Sequence, residues 1–162
     1  MKISLFLHGT IIMHLSGESQ SREIRVQQSK RRDPEVLDYS SYIPIGSAVA
    51  KIKTWYSQGA EIVYLSSHRR NKDVEKDQFV LRKYGFPEGH VYSRRWWQSY
   101  SKVAEKIMPD IFIEDDCESI GGKREMTYPH INSKFQKRIK SIVIKEFSGI
   151  DHLPDDITVL QS

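Results

Sequence analysis

Apolar residues in this chain gather in short unbroken runs separated by longer stretches with helical spacing. Residues 2–7 read Lys-Ile-Ser-Leu-Phe-Leu, residues 61–65 Glu-Ile-Val-Tyr-Leu and residues 110–113 Asp-Ile-Phe-Ile. Short apolar runs of this kind, rich in β-formers, predict strands buried on both faces. Residues 90–92 predict a weaker strand and residues 141–147 a fifth. Ile45, Ala48, Val49, Ile52, Trp55 and Tyr56 recur at the helical period, with Pro44 and Gly59 as start and stop signals. A second helix is expected from about Lys72 to Tyr84, carrying Val74, Leu81 and Tyr84 and ended by Gly85. Tyr100, Val103, Ala104, Ile107 and Met108 mark a third, ended by Pro109.

The alternation of strand and helix predicts an α/β fold, a mostly parallel sheet with helices on both faces. Its three layers would be Rossmann-like, with the uniformly apolar first strand central. One domain over residues 1–162 is expected. The alternation breaks twice, at residues 16–43 and 117–132. Each break follows a strand, which puts both at the carboxyl end of the sheet. Residues 16–43 are polar and basic, with Arg22, Arg25, Lys30, Arg31 and Arg32, and have few large apolar residues to offset ordering entropy. They are expected to be mobile or to form a small lid or insertion.

Composition narrows the class. Hydrophobic residues make up 38% and charged residues 28%, as in a polar globular protein. No apolar run approaches the ~18 residues that span a bilayer, and the N-terminus lacks a signal-peptide pattern, so no membrane association is expected. A lone cysteine, Cys117, excludes an internal disulfide, and these features favour the cytoplasm. The net charge of +4 permits anionic ligands but does not argue for nucleic acid. Basic residues concentrate between Thr127 and Lys145, which reads first as a solvated face.

Candidate chemistry sits at the ends of three strands, where ligands bind in open α/β sheets. The first run leads into His8-Gly9-Thr10, the second into Ser66-Ser67-His68 and the third into Glu114-Asp115-Asp116. His8 can serve as general acid or base, or as a metal ligand. Gly9, Thr10, Ser66 and Ser67 offer backbone and hydroxyl donors for a phosphate or carboxylate. Asp115, Asp116 and Glu118 are candidate oxygen ligands for Mg2+. No carboxylate occurs in the first 17 residues. Arg94-Arg95-Trp96-Trp97 could stack a base or sugar, although the commoner arrangement packs the indoles and exposes the arginines. Gly121-Gly122 offers a hinge, and residues 126–130 could close over the site.

This arrangement resembles the haloacid dehalogenase (HAD) superfamily of phosphatases and nucleotidases across roughly residues 2–147. Residues 5–10 resemble its first motif, Asp-x-Asp-Gly-Thr after a hydrophobic strand. Residues 62–67 resemble the strand ending in Ser or Thr, and residues 113–116 the acidic fourth motif. Lys102 sits where the family keeps its phosphate-neutralising lysine. The resemblance puts Phe6 in place of the nucleophilic aspartate and His8 in place of the acid/base aspartate. It therefore implies a small anionic, phosphorylated ligand held by His8, Gly9, Thr10, Ser66, Ser67, Lys102 and Asp115, without aspartyl-phosphate chemistry. His8 and Asp115 would carry any catalysis, and Mg2+ would be the cofactor. Three readings stay open: a ligand-binding protein, a divergent Mg-dependent phosphohydrolase with His8 as acid/base, and a non-catalytic interaction module.

Overall fold

In chain order the strands are β1 (Lys2–Phe6), β2 (Ile12–Met13), β3 (Ile43–Pro44), β4 (Glu61–Leu65), β5 (Val91–Tyr92), β6 (Ile111–Asp115) and β7 (Lys140–Ile144). The helices are α1 (Arg22–Arg31), α2 (Ala48–Ser57), α3 (Asn71–Tyr84), α4 (Tyr100–Ile107), α5 (Ser133–Gln136) and α6 (Ile157–Gln161). The structure is a computed structural model that describes residues 1–162. Five strands form one parallel sheet in the order β5-β4-β1-β6-β7, with β1 central as expected.

Strand alternation splits the apolar runs between two cores. Ile3, Leu5, Ile62, Tyr64, Ile111 and Ile113 face Ile52 and Trp55 of α2 and Val80 and Leu81 of α3. Val63, Leu65 and Phe112 face the other way, onto Val103, Ala104 and Ile107 of α4. The sheet is thus covered on both sides, which is why its central strands show no polar face. Phe6 pairs with Leu65 across β1 and β4, and Leu5 with Ile113 across β1 and β6. This register brings residues 8, 67 and 115 out at one edge of the sheet.

Four local expectations are corrected. The run expected as strand 141–147 leaves the sheet after Ile144, and Phe147 adopts a left-handed φ of 63°. The first long helix starts at Ala48 rather than near Ile45. Pro44 belongs to the small antiparallel β2–β3 ribbon, and the Ile45 N–H donates to Ile11 O at 2.9 Å. The apolar period runs through both elements, so periodicity alone could not separate them. Residues 16–43 are not featureless: α1 forms there, although only Val26 is buried. Polar contacts hold it. Arg25 donates to Gly17 O and Phe147 O, each at 2.9 Å, and Gln28 donates to Ser16 O at 3.0 Å. The fourth correction is at the tryptophans. Trp96 and Trp97 are 76% and 59% exposed, while the Arg94 guanidinium lies 4.1 Å over the Tyr100 ring. The flat guanidinium takes the domain-facing place expected for an indole.

Gly89 precedes edge strand β5, where a Cβ would stand 2.3 Å from the Ile62 carbonyl oxygen. That oxygen belongs to β4 and cannot retreat without disturbing the sheet. Gly89→Ala is expected to cost about 1–3 kcal/mol, the usual range for overpacking, read from the urea midpoint. An unchanged midpoint would show that the edge strand yields freely.

Candidate active site at the carboxyl end of the sheet

A cavity of about 260 Å³ opens where β1, β4 and β6 end. Its floor carries His8, Gly9, Ser67, Glu114 and Asp115, and its walls are largely aromatic, with Phe6, Tyr39, Tyr42, Tyr100 and Phe147. Ser29, Arg32, Val36 and Leu37, from residues 16–43, also line it.

Gly9 makes the floor compact. Its φ is +80°, and a Cβ there would lie 3.0 Å from Asp115 Oδ2 and 3.1 Å from Glu146 Cγ. Only glycine combines that backbone with that approach.

His8 is the hub. Its Nδ1 is hydrogen-bonded to Ser67 Oγ, and its Nε2 lies 2.7 Å from Asp77 Oδ1. Tyr42 meets the imidazole edge-on at 5.3 Å, and Tyr39 stacks at 5.8 Å. Asp77, in the middle of α3, has no solvent exposure. Burial pushes its carboxyl pKa up, but the His8 charge and hydrogen bonds from His8 and Ser66 outweigh that and hold it below the usual value. The Ser66 hydroxyl donates to Asp77 Oδ2 at 2.6 Å, and the His68 N–H donates to Ser66 Oγ at 3.0 Å. Tyr100 fixes the neighbouring backbone by donating to Ser67 O at 2.5 Å. The His68 imidazole is kept neutral to about pH 4, chiefly by burial and then by the charge of His8.

The acidic residues form a second layer. Burial, with Glu146 lining the cavity as well, pushes the carboxyls of Glu114 and Glu146 up to about 7. Asp115 is also raised, mainly by burial. Glu114 accepts the N–H groups of Thr127 and Tyr128 at 2.7 and 2.8 Å, which ties that turn to the end of β6. Glu146 accepts the N–H and hydroxyl of Ser119 at 2.6 and 2.7 Å.

Five expected ligand contacts are placed differently. The Lys102 side chain is 63% exposed, pairs with Glu105 at 2.7 Å and does not line the cavity. At the third residue of α4 it points outward because Val103 and Ala104 take the buried side. Thr10 is fully buried and donates to Asp115 Oδ2 at 2.8 Å, while Ser66 is committed to Asp77. Asp116 pairs with Lys145 at 3.1 Å, and Glu118 with Arg22 at 2.7 Å. His8, Gly9, Ser67 and Asp115 are brought together as expected.

This geometry also tests the expected Mg2+ set. Asp115 is engaged by Thr10 and by the Cys117 N–H at 2.9 Å, and Asp116 and Glu118 each answer a basic side chain. The three carboxylates therefore do not fit a shared octahedral cation. The one compact group of ligand-type atoms is His8, His68 and Asp77, all within 4.8 Å of one another. Its nitrogen-rich donors suit zinc-like ions better than Mg2+.

Sequence reasoning missed Asp77, although the signal was present. Val74, Asp77, Val80 and Leu81 share one helical stripe, so Asp77 is a carboxylate on an apolar face. Glu146 was hidden inside a run read as strand.

No family model matches the chain, and no curated protein matches it in sequence. Solved structures do resemble it. A class C acid phosphatase from Bacillus anthracis with tungstate bound aligns with a TM-score of 0.58 and 16% identity, over 91% of this chain and 68% of that one. A chain of the Pnkp1/Rnl/Hen1 RNA repair complex aligns with a TM-score of 0.52 and 13% identity, over 89% of this chain and 43% of that one. A Pnkp1/Rnl/Hen1 complex gives 0.54 and 12%, over 90% and 46%. Identities this low carry the fold. The chain has an α/β fold with a mostly parallel five-stranded, Rossmann-like sheet, and shares that fold with these neighbours. No helix is long and apolar enough to cross a membrane.

Proposed function

We propose that the protein binds a small phosphoester in the cavity at the carboxyl end of its sheet and hydrolyses it with His8 as the proton carrier. One observation carries this reading: the His8 imidazole bridges a hydroxyl in the cavity, on Ser67, and a buried carboxylate, on Asp77. An imidazole held at both nitrogens is fixed in orientation, as general acid/base work requires. The residue types support the same reading from the other side. Phe6 stands where the superfamily resemblance puts its aspartyl nucleophile, and phenylalanine cannot attack phosphorus. The structural neighbour with tungstate, a phosphate-like oxyanion, supports a phosphorylated ligand.

The electrostatics set a condition on that ligand. Glu114, Asp115 and Glu146 line the cavity, and Arg32 is its only arginine. A dianion is welcome there only when those carboxyls carry protons, and two of them lose their protons at about pH 7. Anion affinity should therefore strengthen as pH falls from 8 to 6, by up to about tenfold per pH unit for each proton taken up. Calorimetric titration with tungstate at pH 6, 7 and 8 measures this. No binding at pH 6, or tighter binding at pH 8, would overturn the anionic ligand. Mg2+ enters no step of this proposal, because its expected ligands are committed elsewhere.

A further inference from the structure

We propose that Ser67 is the nucleophile, acting through a Ser67–His8–Asp77 relay that forms a covalent seryl intermediate. This deepens the phosphoester reading and rests on it for the substrate class, but not for the chemistry of the serine. Three features on three different elements support it. Ser67 follows β4 and faces the cavity, His8 follows β1, and Asp77 comes from α3. Nucleophile, base and orienting carboxylate in contact series are recognised by geometry and role, not by chain order.

The tautomer follows from the partners. Asp77 Oδ1 is 2.7 Å from His8 Nε2, and as an ionised carboxylate it can only accept, so Nε2 carries the hydrogen. Nδ1 is then left with a lone pair, facing the Ser67 hydroxyl, which donates to it. Asp77 is itself held by the Ser66 hydroxyl, and the Ser67 backbone by the Tyr100 hydroxyl. Asp77 and Ser66 are positioning residues; Ser67 and His8 are the catalytic ones.

The step balances with water as the sole co-reactant. The Ser67 Oγ lone pair forms a bond to phosphorus, the bond from phosphorus to the leaving oxygen breaks, and the hydroxyl proton passes to His8 Nδ1. His8 gives that proton to the departing alkoxide. Water then attacks phosphorus and yields a proton to Nδ1. The bond from phosphorus to Oγ breaks, and Ser67 recovers its proton. Both halves use Nδ1, while Nε2 never needs to leave its hydrogen bond to Asp77.

A fluorophosphonate, which traps activated serines by the first of these steps, is the probe. Intact-mass and peptide analysis should find one adduct, on Ser67. Ser67→Ala should abolish it, and His8→Asn should slow it by about 10²-fold or more. Asp77→Asn should slow labelling and also change the pH–rate profile, because the base loses its anionic partner. A purely structural role for Asp77 would not move the profile. Circular dichroism and tungstate titration show that each variant is folded with its cavity intact. An unlabelled wild type that still binds tungstate would overturn the nucleophile and leave the phosphoester reading standing. Labelling without tungstate binding would keep the nucleophile and remove the phosphoester. Labelling that requires added Zn2+ and stops with a chelator would also overturn the relay, since His8, His68 and Asp77 would then be metal ligands.

Discussion

Glu146→Gln is expected to stabilise the fold by about 3 kcal/mol at pH 8 and to change little at pH 4.5. Glu146 is buried, and its folded pKa is raised from 4.5 to about 7, first by burial and then by the Asp115 charge. The sign follows from linkage. A carboxyl whose folded pKa is raised contributes its full stability below its unfolded value, and that contribution is lost as pH rises through about 7. At pH 8 the wild type must bury a charge that glutamine does not carry. The amide also fits its surroundings: it can accept the Ser119 N–H, and the Ser119 hydroxyl can turn round to accept from the new NH2. Glu114 supplies the control. Its two oxygens each accept a backbone N–H, from Thr127 and Tyr128, so an amide there sets donor against donor. Glu114→Gln should show no such gain. His68 titrates with the opposite sign as pH falls through about 4, but it is common to wild type and variant and cancels in the difference. Urea unfolding at pH 4.5, 6 and 8 measures the effect. A stability difference that stays constant across these pH values would mean that the Glu146 charge is not what the fold tolerates.

The frame of the fold was legible because it rests on unbroken apolar runs. In β1, β4 and β6 every face is buried, so the sequence has no choice but to place them centrally. Their ends declared His8, Ser67 and Asp115, since a polar residue directly after such a run has to emerge at the sheet edge. The support for the site was not legible in the same way. Asp77 lies 11 positions beyond Ser66 and 69 beyond His8, the strand-end residues it serves, inside the polar stretch Glu75-Lys76-Asp77-Gln78, and only its place on the Val74–Leu81 stripe betrays it. Residues 16–43 were opaque for another reason. The helix there is held by arginine and glutamine bonds to backbone carbonyls, and hydrophobic periodicity is blind to such contacts. The misplacement of Lys102 marks the limit of resemblance. A motif position fixes an element, but the burial of Val103 and Ala104 fixes which way that element turns its charged side chain.

His8→Asn is expected to lower phosphoester turnover by about 10²–10⁴-fold, the usual result of removing a positioned acid or base. Asparagine retains a polar group of modest size but cannot take up and return a proton near neutral pH. It also removes the link between Ser67 and Asp77, so both catalytic and positioning functions fall together. Tungstate affinity should change far less, because Ser67, Arg32 and the backbone around Gly9 remain in the cavity. The two readouts must be taken on folded protein, since the variant leaves buried Asp77 with the Ser66 hydroxyl as its closest remaining donor, and losing a partner of a buried charge costs stability. Para-nitrophenyl phosphate turnover and tungstate calorimetry, both at pH 6 and below the melting transition of the variant, separate the effects. Unchanged turnover in His8→Asn would remove His8 from the chemistry. A wild type that neither turns over phosphoesters nor binds tungstate would point to a non-catalytic module, in which the bond network around His8 only ties α3 to the ends of β1 and β4.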